Sequence, residues 1–268
     1  MAAFRAVFIV LALVAFFLVG APLQRLVVRR APRLAHQIPA FFCRCLLALL
    51  GFTVDIAGRR SLAGAVLTVA NHTSWIDILA LGTVAPYAFL AKREVANWPL
   101  PSSFARVQGT VFVDRQRRRT IPDANAAMAN RMLAGRSVLL FPEGTTVDAS
   151  GPGRFRSSHF AAARDLLASA DHVRDVTIQP VAIAYTADVA AWIGDDDLAG
   201  HLWRVLRARP LRCRLSFAPT ISYPRGADRK RIAHEARASI VAELAAAACI
   251  DTRSQDIMSG DLATAGLV

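Results

Sequence analysis

The sequence predicts an α/β fold: a single domain whose mixed sheet is flanked by helices, preceded by an N-terminal helix that anchors the chain to a membrane. Three observations lead to this prediction. An uncharged apolar run stands near the N-terminus, alternating strand and helix patterns begin at about residue 58, and no repeat or low-complexity linker interrupts them. The 268 residues are enough for one substantial domain with an appendage. We divide the chain into an anchor (1–24), a basic juxtamembrane region with an interfacial helix (25–57), the main domain (58–250) and a flexible tail (251–268).

The anchor is predicted from an uncharged apolar run of 18 residues, 6–23. A helix that spans a bilayer needs about 20 such residues. Only Arg5 precedes the run, whereas four arginines follow it, at positions 25, 29, 30 and 33. Because positive residues mark the cytoplasmic side of a membrane, we expect the N-terminus to point outward and the rest of the chain to stay in the cytoplasm. A cleaved signal peptide is the alternative interpretation.

A second apolar stretch, residues 38–52, is interrupted by Arg44. It is too short to cross a bilayer comfortably. It predicts an interfacial or re-entrant helix, or a helix packed on the main domain. Each of these arrangements would hold the main domain at the membrane surface.

Six apolar, β-branched runs in the main domain have the composition of strands, at residues 65–70, 87–91, 110–113, 137–141, 176–184 and 212–217. Helical patterns stand between and after them, at residues 76–81, 122–133, 159–167, 198–206 and 229–248. Gly135 follows the second of these helices and is a plausible stop signal. This alternation is typical of an α/β sheet with helices packed on it.

The composition narrows the class of partner. The chain is 54% hydrophobic and carries a net charge of +12. Only Lys92 and Lys230 are lysines, so arginine provides nearly all of the positive charge, and its rigid donor fork suits phosphate. The charge favours an anionic partner: nucleic acid, anionic lipid or a phosphorylated substrate. The four cysteines have neither C-x-x-C nor zinc-site spacing, so we predict no metal site.

The first candidate functional residues follow the strand at 65–70. His72 stands in the turn before the next helix, where its ring can project from the sheet edge as a general base. Asp77, five residues later, can reach back to Nδ1 and fix the tautomer, as the aspartate of a catalytic triad does. Ser74 and Asp77 also have the spacing of a capping box, which is a purely structural arrangement. On this segment alone, both interpretations stay open.

A second candidate is Arg115, at the end of the strand in segment 109–115. A guanidinium at a strand end can bind a phosphate through two donors. Three more arginines follow within four residues, so this segment taken alone is more typical of a strand that leads into a solvated arginine cluster.

Residues 141–145, Phe-Pro-Glu-Gly-Thr, end the strand at 137–141. They bring together the carboxylate of Glu143, the flexible backbone and N–H of Gly144, and the hydroxyl of Thr145. Residues 176–183 form an apolar strand with a central proline. Taken singly, the first segment is most often a turn and the second a core strand.

Taken together and in this order, the four segments resemble the glycerolipid acyltransferase family, which includes the 1-acylglycerol-3-phosphate acyltransferases. The blocks of that family are N-H-x-x-x-x-D, then G-x-x-F-x-x-R, then F-P-E-G-T, then an apolar block with a central proline. The resemblance covers roughly residues 60–190. Four ordered blocks are a far more specific signal than any one of them.

The resemblance implies that His72 is the base and that Asp77 orients it. It also implies a set of residues near the acceptor's head group and the reaction centre, namely Arg115, Glu143, Gly144 and Thr145. The acceptor hydroxyl would attack an acyl thioester of acyl carrier protein or coenzyme A, with no covalent enzyme intermediate, no metal and no bound cofactor. Backbone N–H groups near Gly144 are candidates for stabilising the oxyanion.

Two departures from the family pattern concern the acceptor. Thr146 and Val147 stand where many lysophosphatidate acyltransferases have arginine and serine, and residues 155–160 stand where the family often has F-K-x-G-x-F. Residues 111–119, with the Glu-Gly-Thr-Thr segment, are also similar to acyltransferases that acylate lyso-ornithine lipid. We expect 1-acyl-sn-glycerol-3-phosphate as the acceptor, giving phosphatidic acid, with lyso-ornithine lipid as the alternative.

We expect the enzyme in the inner (cytoplasmic) membrane, with its catalytic domain facing the cytoplasm. A lipid-binding membrane scaffold without activity is the non-enzyme alternative, and the presence of His72, Asp77, Arg115 and Glu143 counts against it. A nucleic-acid-binding module is a second alternative, suggested by the charge. The apolar anchor and the lack of a recognition motif count against that alternative, so we expect no nucleic-acid partner.

Overall fold

The computed structural model describes residues 1–31, 34–62, 64–92, 110–113, 118–148, 151–194, 196–208 and 210–264. Within these residues the strands are β1 (Phe52–Gly58), β2 (Val66–Ala70), β3 (Ala88–Lys92), β4 (Val111–Val113), β5 (Val138–Leu140), β6 (Asp175–Tyr185), β7 (Leu211–Phe217) and β8 (Ile221–Pro224). The α-helices are α1 (Ala2–Ala15), α2 (Ala21–Arg30), α3 (Gln37–Leu50), α4 (Ile76–Gly82), α5 (Ile121–Leu133), α6 (Ala161–Ser169), α7 (Leu198–Arg207) and α8 (Arg229–Thr264).

The strands form a mixed sheet in the order β1-β7-β6-β2-β5-β3-β4, and β8 pairs separately with β6. Strand β2 pairs in parallel with β6 on one side and with β5 on the other, and the parallel pairing continues from β5 to β3 and β4. Strands β7 and β8 run antiparallel to β6. All five residues of β2 are buried, because parallel strands on both sides and helices on both faces surround it. The predicted mixed α/β sheet is confirmed, and the turn that follows β2 lies at the centre of its carboxyl edge.

Helices pack on both faces of this sheet. Helices α3 and α4 cover one face, in a cluster that includes Leu47, Ile76 and Ile183. Helices α5, α6 and α8 cover the other face, in a cluster that includes Met128 and Ile240. The residue after β2 therefore emerges between two packed layers.

Two strands were not predicted from the sequence. Strand β1 lies at an edge of the sheet, where its polar Thr53 and Asp55 alternate with apolar residues and most of the strand is partly exposed. It falls inside the region that the sequence assigned to an interfacial segment, so the sheet begins at Phe52. Strand β8 has only four residues and pairs with β6 alone. Short edge strands with polar side chains lack the continuous apolar run that marks a buried strand.

The N-terminal segment is helical from Ala2 to Arg30, with one π-helical turn, Phe16–Gly20, between α1 and α2. By length and composition this is the one helix among the described residues that could cross a membrane. Only 11% of its most apolar window is buried, so it is not an ordinary core helix. One side packs on α3, where Phe16 stacks on Phe42 with ring centroids 4.0 Å apart. The other side exposes a row of large apolar side chains, including Phe4 and Leu18.

The predicted position of the N-terminus across the membrane from the main domain is contradicted by the contacts of Arg5. Its Nε donates to the carbonyl of Leu49 over 2.7 Å, and its Nη1 donates to the carbonyl of Leu206 over 3.1 Å. These carbonyls lie near the carboxyl ends of α3 and α7, where helices present unpaired acceptors to a cation. A bilayer cannot separate groups that share hydrogen bonds, so the first helical turn and the main domain lie on one side. The positive-inside argument missed this because it treated Arg5 only as a flanking charge.

The last helix is longer than the predicted helix, which ended at residue 248. Helix α8 continues through Thr264, and the flexibility predicted for the tail from residue 251 stays a prediction. The alanine-rich sequence before that point has a high helix propensity, and no proline stops the helix.

Candidate active site

The turn after β2 is fixed by Asn71. Its Nδ2 donates to the carbonyl of Ile183 on β6 over 2.9 Å, and its Oδ1 accepts from the N–H of Ile183 over 2.8 Å. The side chain thus pairs with β6 as a strand residue would. On the other side of the turn, the carbonyl of His72 accepts from the N–H of Val147 over 2.8 Å. These bonds hold the backbone around His72 from two segments that are distant in sequence.

His72 and Asp77 form a hydrogen-bonded pair. Asp77 Oδ2 lies 2.8 Å from His72 Nδ1. The carboxylate is fully buried, while 18% of the histidine side chain is exposed. With Nδ1 held by the carboxylate, Nε2 is the ring nitrogen left for a substrate.

The same carboxylate also binds the backbone of the turn before helix α4. Its Oδ2 accepts from the N–H of Thr73 over 2.8 Å and from the N–H of Ser74 over 3.0 Å, while Ser74 Oγ accepts from the N–H of Ile76 over 3.3 Å. The bond of Asp77 to His72 and its bond to the Ser74 N–H, which belong to the two interpretations that the sequence left open, are therefore present together. Backbone donors fix the carboxylate, and the fixed carboxylate holds the imidazole.

Phe141, the residue after β5, supports the histidine ring. The two rings stack with centroids 4.0 Å apart and an angle of 15° between their planes. Phe141 is buried, so one face of the imidazole packs on the core and the ring cannot swing toward the sheet.

Glu143 contacts the backbone of the same turn. Its Oε2 accepts from the N–H of His72 over 2.6 Å, and its Oε1 accepts from the N–H of Gly153 over 2.8 Å. Burial raises the pKa of this carboxyl to about 7, although the two backbone hydrogen bonds and the charge of Arg237 act in the opposite direction. Both oxygens are engaged with backbone donors, so the geometry gives Glu143 the task of joining two loops. Its implied contact with the acceptor's head group stays a prediction.

Arg237 on α8 extends this connection. Its Nε donates to the carbonyl of Gly153 over 2.8 Å, and one of its terminal nitrogens donates to the carbonyl of Pro152 over 2.6 Å. The last helix is thereby linked through Gly153 and Glu143 to the backbone of His72. No sequence signal marked Arg237, because it is one of many arginines on an amphipathic helix.

Gly144 and Thr145 complete the predicted segment. Gly144 has a φ of 82°, which favours glycine. Its N–H donates to the carbonyl of Phe141 over 3.2 Å, so this donor closes the turn instead of facing the substrate side. Thr145 is exposed. Arg115 lies outside the described residues, and its role stays a prediction.

Two cavities flank the turn. The larger, of about 520 Å³, lies between the end of β6 and helix α8 and is lined by residues that include Asn71, Thr73, Tyr185 and Leu244. The smaller, of about 50 Å³, is lined by residues that include Phe141 and Gly144, beside the stacked face of the histidine. Among the described residues, no group of three or more His, Cys, Asp or Glu side chains is arranged to hold a metal ion.

A partly exposed imidazole with a buried carboxylate on Nδ1 can accept a proton at Nε2 and stabilise the resulting charge. The sequence identified the two members of this pair from their spacing. It missed Tyr185, whose hydroxyl donates to Asp77 Oδ1 over 2.5 Å. The available signal was a polar residue at the carboxyl end of a strand that pairs with β2.

Comparisons with known proteins identify the family of this chain. The Acyltransferase family matches residues 53–184. A lyso-ornithine lipid O-acyltransferase of Brucella abortus is 35% identical over 240 residues, which cover 85% of this chain and 90% of that protein. A 1-acyl-sn-glycerol-3-phosphate acyltransferase of Neisseria meningitidis is 33% identical over 184 residues, which cover 67% of this chain and 69% of that protein.

The crystal structure of the 1-acyl-sn-glycerophosphate (LPA) acyltransferase PlsC from Thermotoga maritima has the same fold, with a TM-score of 0.62 and 21% sequence identity. The alignment covers 92% of this chain and 98% of that one. The chain therefore belongs to the Acyltransferase family of lysolipid O-acyltransferases.

Proposed function

We propose that this chain transfers a fatty acyl group from a thioester to the free hydroxyl of a lysolipid, with His72 as the general base. The observation that carries the proposal is the 2.8 Å bond between His72 Nδ1 and the fully buried carboxylate of Asp77, which leaves Nε2 as the ring nitrogen available to a substrate. Family membership supports the reaction class.

In the proposed mechanism, the acceptor oxygen attacks the thioester carbonyl carbon while Nε2 of His72 takes the hydroxyl proton. Asp77 stabilises the imidazolium. The tetrahedral intermediate then expels the thiolate, which takes up the proton from the imidazolium, leaving an ester and a free thiol. Base catalysis of this kind contributes about 10²–10⁴-fold, and the remaining acceleration comes from holding both substrates in place.

We assign the remaining predicted residues as follows. Glu143 holds the backbone of His72, which the two hydrogen bonds to its oxygens support. Arg115 binds the anionic part of the acceptor, as the family resemblance implies. The oxyanion requires a donor other than the Gly144 N–H, because that group closes a turn. The donor substrate is a thioester of acyl carrier protein or coenzyme A, and no metal or bound cofactor takes part.

For the acceptor, the comparisons provide two names. The relatives that align over the larger share of this chain are lyso-ornithine lipid O-acyltransferases, from Brucella abortus at 85% and from Pseudomonas aeruginosa at 77%. The Neisseria meningitidis enzyme, named for 1-acyl-sn-glycerol-3-phosphate, aligns over 67%. Two observations therefore support lyso-ornithine lipid as an acceptor: this coverage, and the presence of Thr146 and Val147 in place of arginine and serine. Lyso-ornithine lipid should be tested beside lysophosphatidate.

We also propose that the catalytic domain faces the cytoplasm. The proposed donors support this side, because acyl carrier protein and coenzyme A thioesters are found in the cytoplasm.

The test is an acyl-transfer assay of the full-length protein in membranes, with lysophosphatidate and lyso-ornithine lipid offered separately and together. We expect product from at least one acceptor and a loss of about 10²-fold or more in kcat for His72→Ala. We expect Asp77→Asn to lose most activity as well, because the amide cannot orient and stabilise the charged imidazole in the same way.

Melting curves of the same variants separate chemistry from folding. His234→Ala, a change in a histidine on the exposed side of α8, is the matched control and should retain full activity. Retention of more than about a tenth of the wild-type kcat by a folded His72→Ala variant would refute the base assignment.

A further inference from the structure

We infer that Tyr185 is a positioning residue for the His72–Asp77 pair: its hydroxyl fixes the Asp77 carboxylate in the orientation that keeps Oδ2 on His72 Nδ1. The inference rests on the proposed function, because it concerns how the same pair is held. It adds a residue from outside the Asn-His-x-x-x-x-Asp segment to the catalytic arrangement.

The two oxygens of Asp77 have different partners. Oδ2 accepts from His72 Nδ1 and from the N–H groups of Thr73 and Ser74. Oδ1 accepts from the hydroxyl of Tyr185 over 2.5 Å. Within the part of the chain that the structure describes, Tyr185 is the one donor to Oδ1. Because Asp77 is fully buried, no solvent is available to replace this donor.

Tyr185 is itself held in place. It is the last residue of β6 and lies opposite Cys213 in the register with β7. Its ring packs edge-to-face on Phe52, with centroids 5.8 Å apart. The hydroxyl is therefore positioned before any substrate binds.

The hydroxyl also keeps its proton. Burial, together with the negative charge of Asp77, raises the pKa of Tyr185 well above its ordinary value. A neutral phenol next to a carboxylate can only donate, so the direction of the hydrogen bond is fixed. Donation to Oδ1 and backbone donation to Oδ2 together prevent the carboxylate from turning about its Cβ–Cγ bond.

Loss of the hydroxyl would leave Oδ1 buried without a donor. A buried carboxylate in that state relaxes toward whichever donors remain, here the two backbone N–H groups on the Oδ2 side. The imidazole of His72 would then no longer have the Asp77 carboxylate at a fixed position beside Nδ1. Every residue that touches the substrate would be unchanged. The expected signature is a loss in kcat without a loss in substrate binding.

The experiment compares Tyr185→Phe with Tyr223→Phe in the acyl-transfer assay. Both changes remove one hydroxyl from a tyrosine ring packed in the core, Tyr185 partly buried and Tyr223 fully buried. Tyr223 lies on β8, which pairs with the opposite end of β6. We expect Tyr185→Phe to lower kcat by about tenfold to hundredfold, the range for a small displacement of a catalytic group, with both KM values nearly unchanged. We expect Tyr223→Phe to retain the wild-type kcat.

A double-mutant cycle with Asp77→Asn tests whether Tyr185 acts through Asp77. We expect Tyr185→Phe to have no further effect on kcat in the Asp77→Asn background. As a readout independent of turnover, the low-field NMR resonance of the His72 Nδ1 proton should shift or broaden in Tyr185→Phe and stay in place in Tyr223→Phe.

Three results would overturn the inference: a wild-type kcat in Tyr185→Phe, an equal loss in the wild-type and Asp77→Asn backgrounds, or an unchanged Nδ1 proton resonance. The proposed function fails in a different way, through a wild-type protein that acylates neither lysolipid. The NMR comparison of the two tyrosine variants would still decide the role of Tyr185 in that case.

Discussion

At the scale of single residues, Asp77 combines two tasks that are usually considered separately. It binds the backbone N–H of Ser74 in the turn before α4, and it binds the ring of His72. Because the backbone of the turn fixes the carboxylate, the stability of the turn and the orientation of the imidazole depend on the same group. A change at Asp77 should therefore lower both the melting temperature and the turnover. The relative size of the two losses shows how much Asp77 contributes to the stability of the turn and how much to the orientation of the imidazole.

Glu143 leads to a prediction about pH. Its pKa is raised by burial from an ordinary value of 4.5 to about 7. Between these values the folded protein retains a proton that the unfolded chain has released. The contribution of Glu143 to the free energy of unfolding is therefore complete below about 4.5, falls as the pH rises toward about 7, and is flat above that pH.

We expect Glu143→Gln to abolish this part of the pH dependence, since glutamine does not titrate. The free energy of unfolding of the wild type minus that of the variant should fall as the pH rises from about 4.5 to about 7, measured by chemical denaturation. Glu235→Gln, at an exposed glutamate of α8, is the control and should give a curve parallel to that of the wild type. A Glu143→Gln curve that also runs parallel to the wild type would show that burial does not raise this pKa.

At the scale of elements, the long C-terminal helix α8 is connected through one side chain to the turn that carries His72. Arg237 holds the carbonyls of Pro152 and Gly153, and the N–H of Gly153 holds Glu143. The helix thus supports the site as well as covering one face of the sheet. The position of α8 in the fold, taken alone, would indicate only that it covers one face of the sheet.

We expect Arg237→Ala to lower the free energy of unfolding by about 1–3 kcal/mol, because two part-buried backbone carbonyls lose a charged donor. We also expect kcat to fall, since Glu143 loses a fixed partner. Arg231→Ala on the same helix is the control: its exposed pair with Glu235 should contribute only about 0.3–0.5 kcal/mol. Thermal melts and the acyl-transfer assay check both effects, and equal behaviour of the two variants would contradict the link between helix and site.

At the scale of the whole molecule, the N-terminal helix and the main domain form one unit. The helix Ala2–Arg30 is about 43 Å long, and its first turn is bound to the carboxyl ends of α3 and α7 through Arg5. The chain then returns to the sheet through α3, which packs against α1. The apolar outer side of the first helix therefore starts at the surface of the main domain.

This arrangement predicts the topology of the termini. A cysteine introduced at Ala3 and the exposed native Cys249 should react with a membrane-impermeant maleimide from the same side of the membrane. Labelling in intact cells and in inverted vesicles gives the comparison. Reaction of the two positions from opposite sides would support the single span with an outward N-terminus and contradict the Arg5 contacts.

The sequence by itself determined the features that depend on short-range pattern. The strand at 66–70, the helix at 76–82 and the spacing of His72 and Asp77 all follow from local periodicity and from reach along one turn. The long apolar helix at the N-terminus and the order of the four family segments are equally local properties.

Only the tertiary structure decided which distant residues complete the site. The bond from His72 to Glu143 joins positions 71 residues apart, and the bond from Tyr185 to Asp77 joins positions 108 apart. Arg5 is bound to a carbonyl 201 residues away. Periodicity shows which side of an element is buried but not which element it meets, because strand order and helix placement are set by the packing of the whole chain. For that reason the pairing of His72 with Asp77 was predictable from the sequence, whereas the groups that hold this pair in position were not.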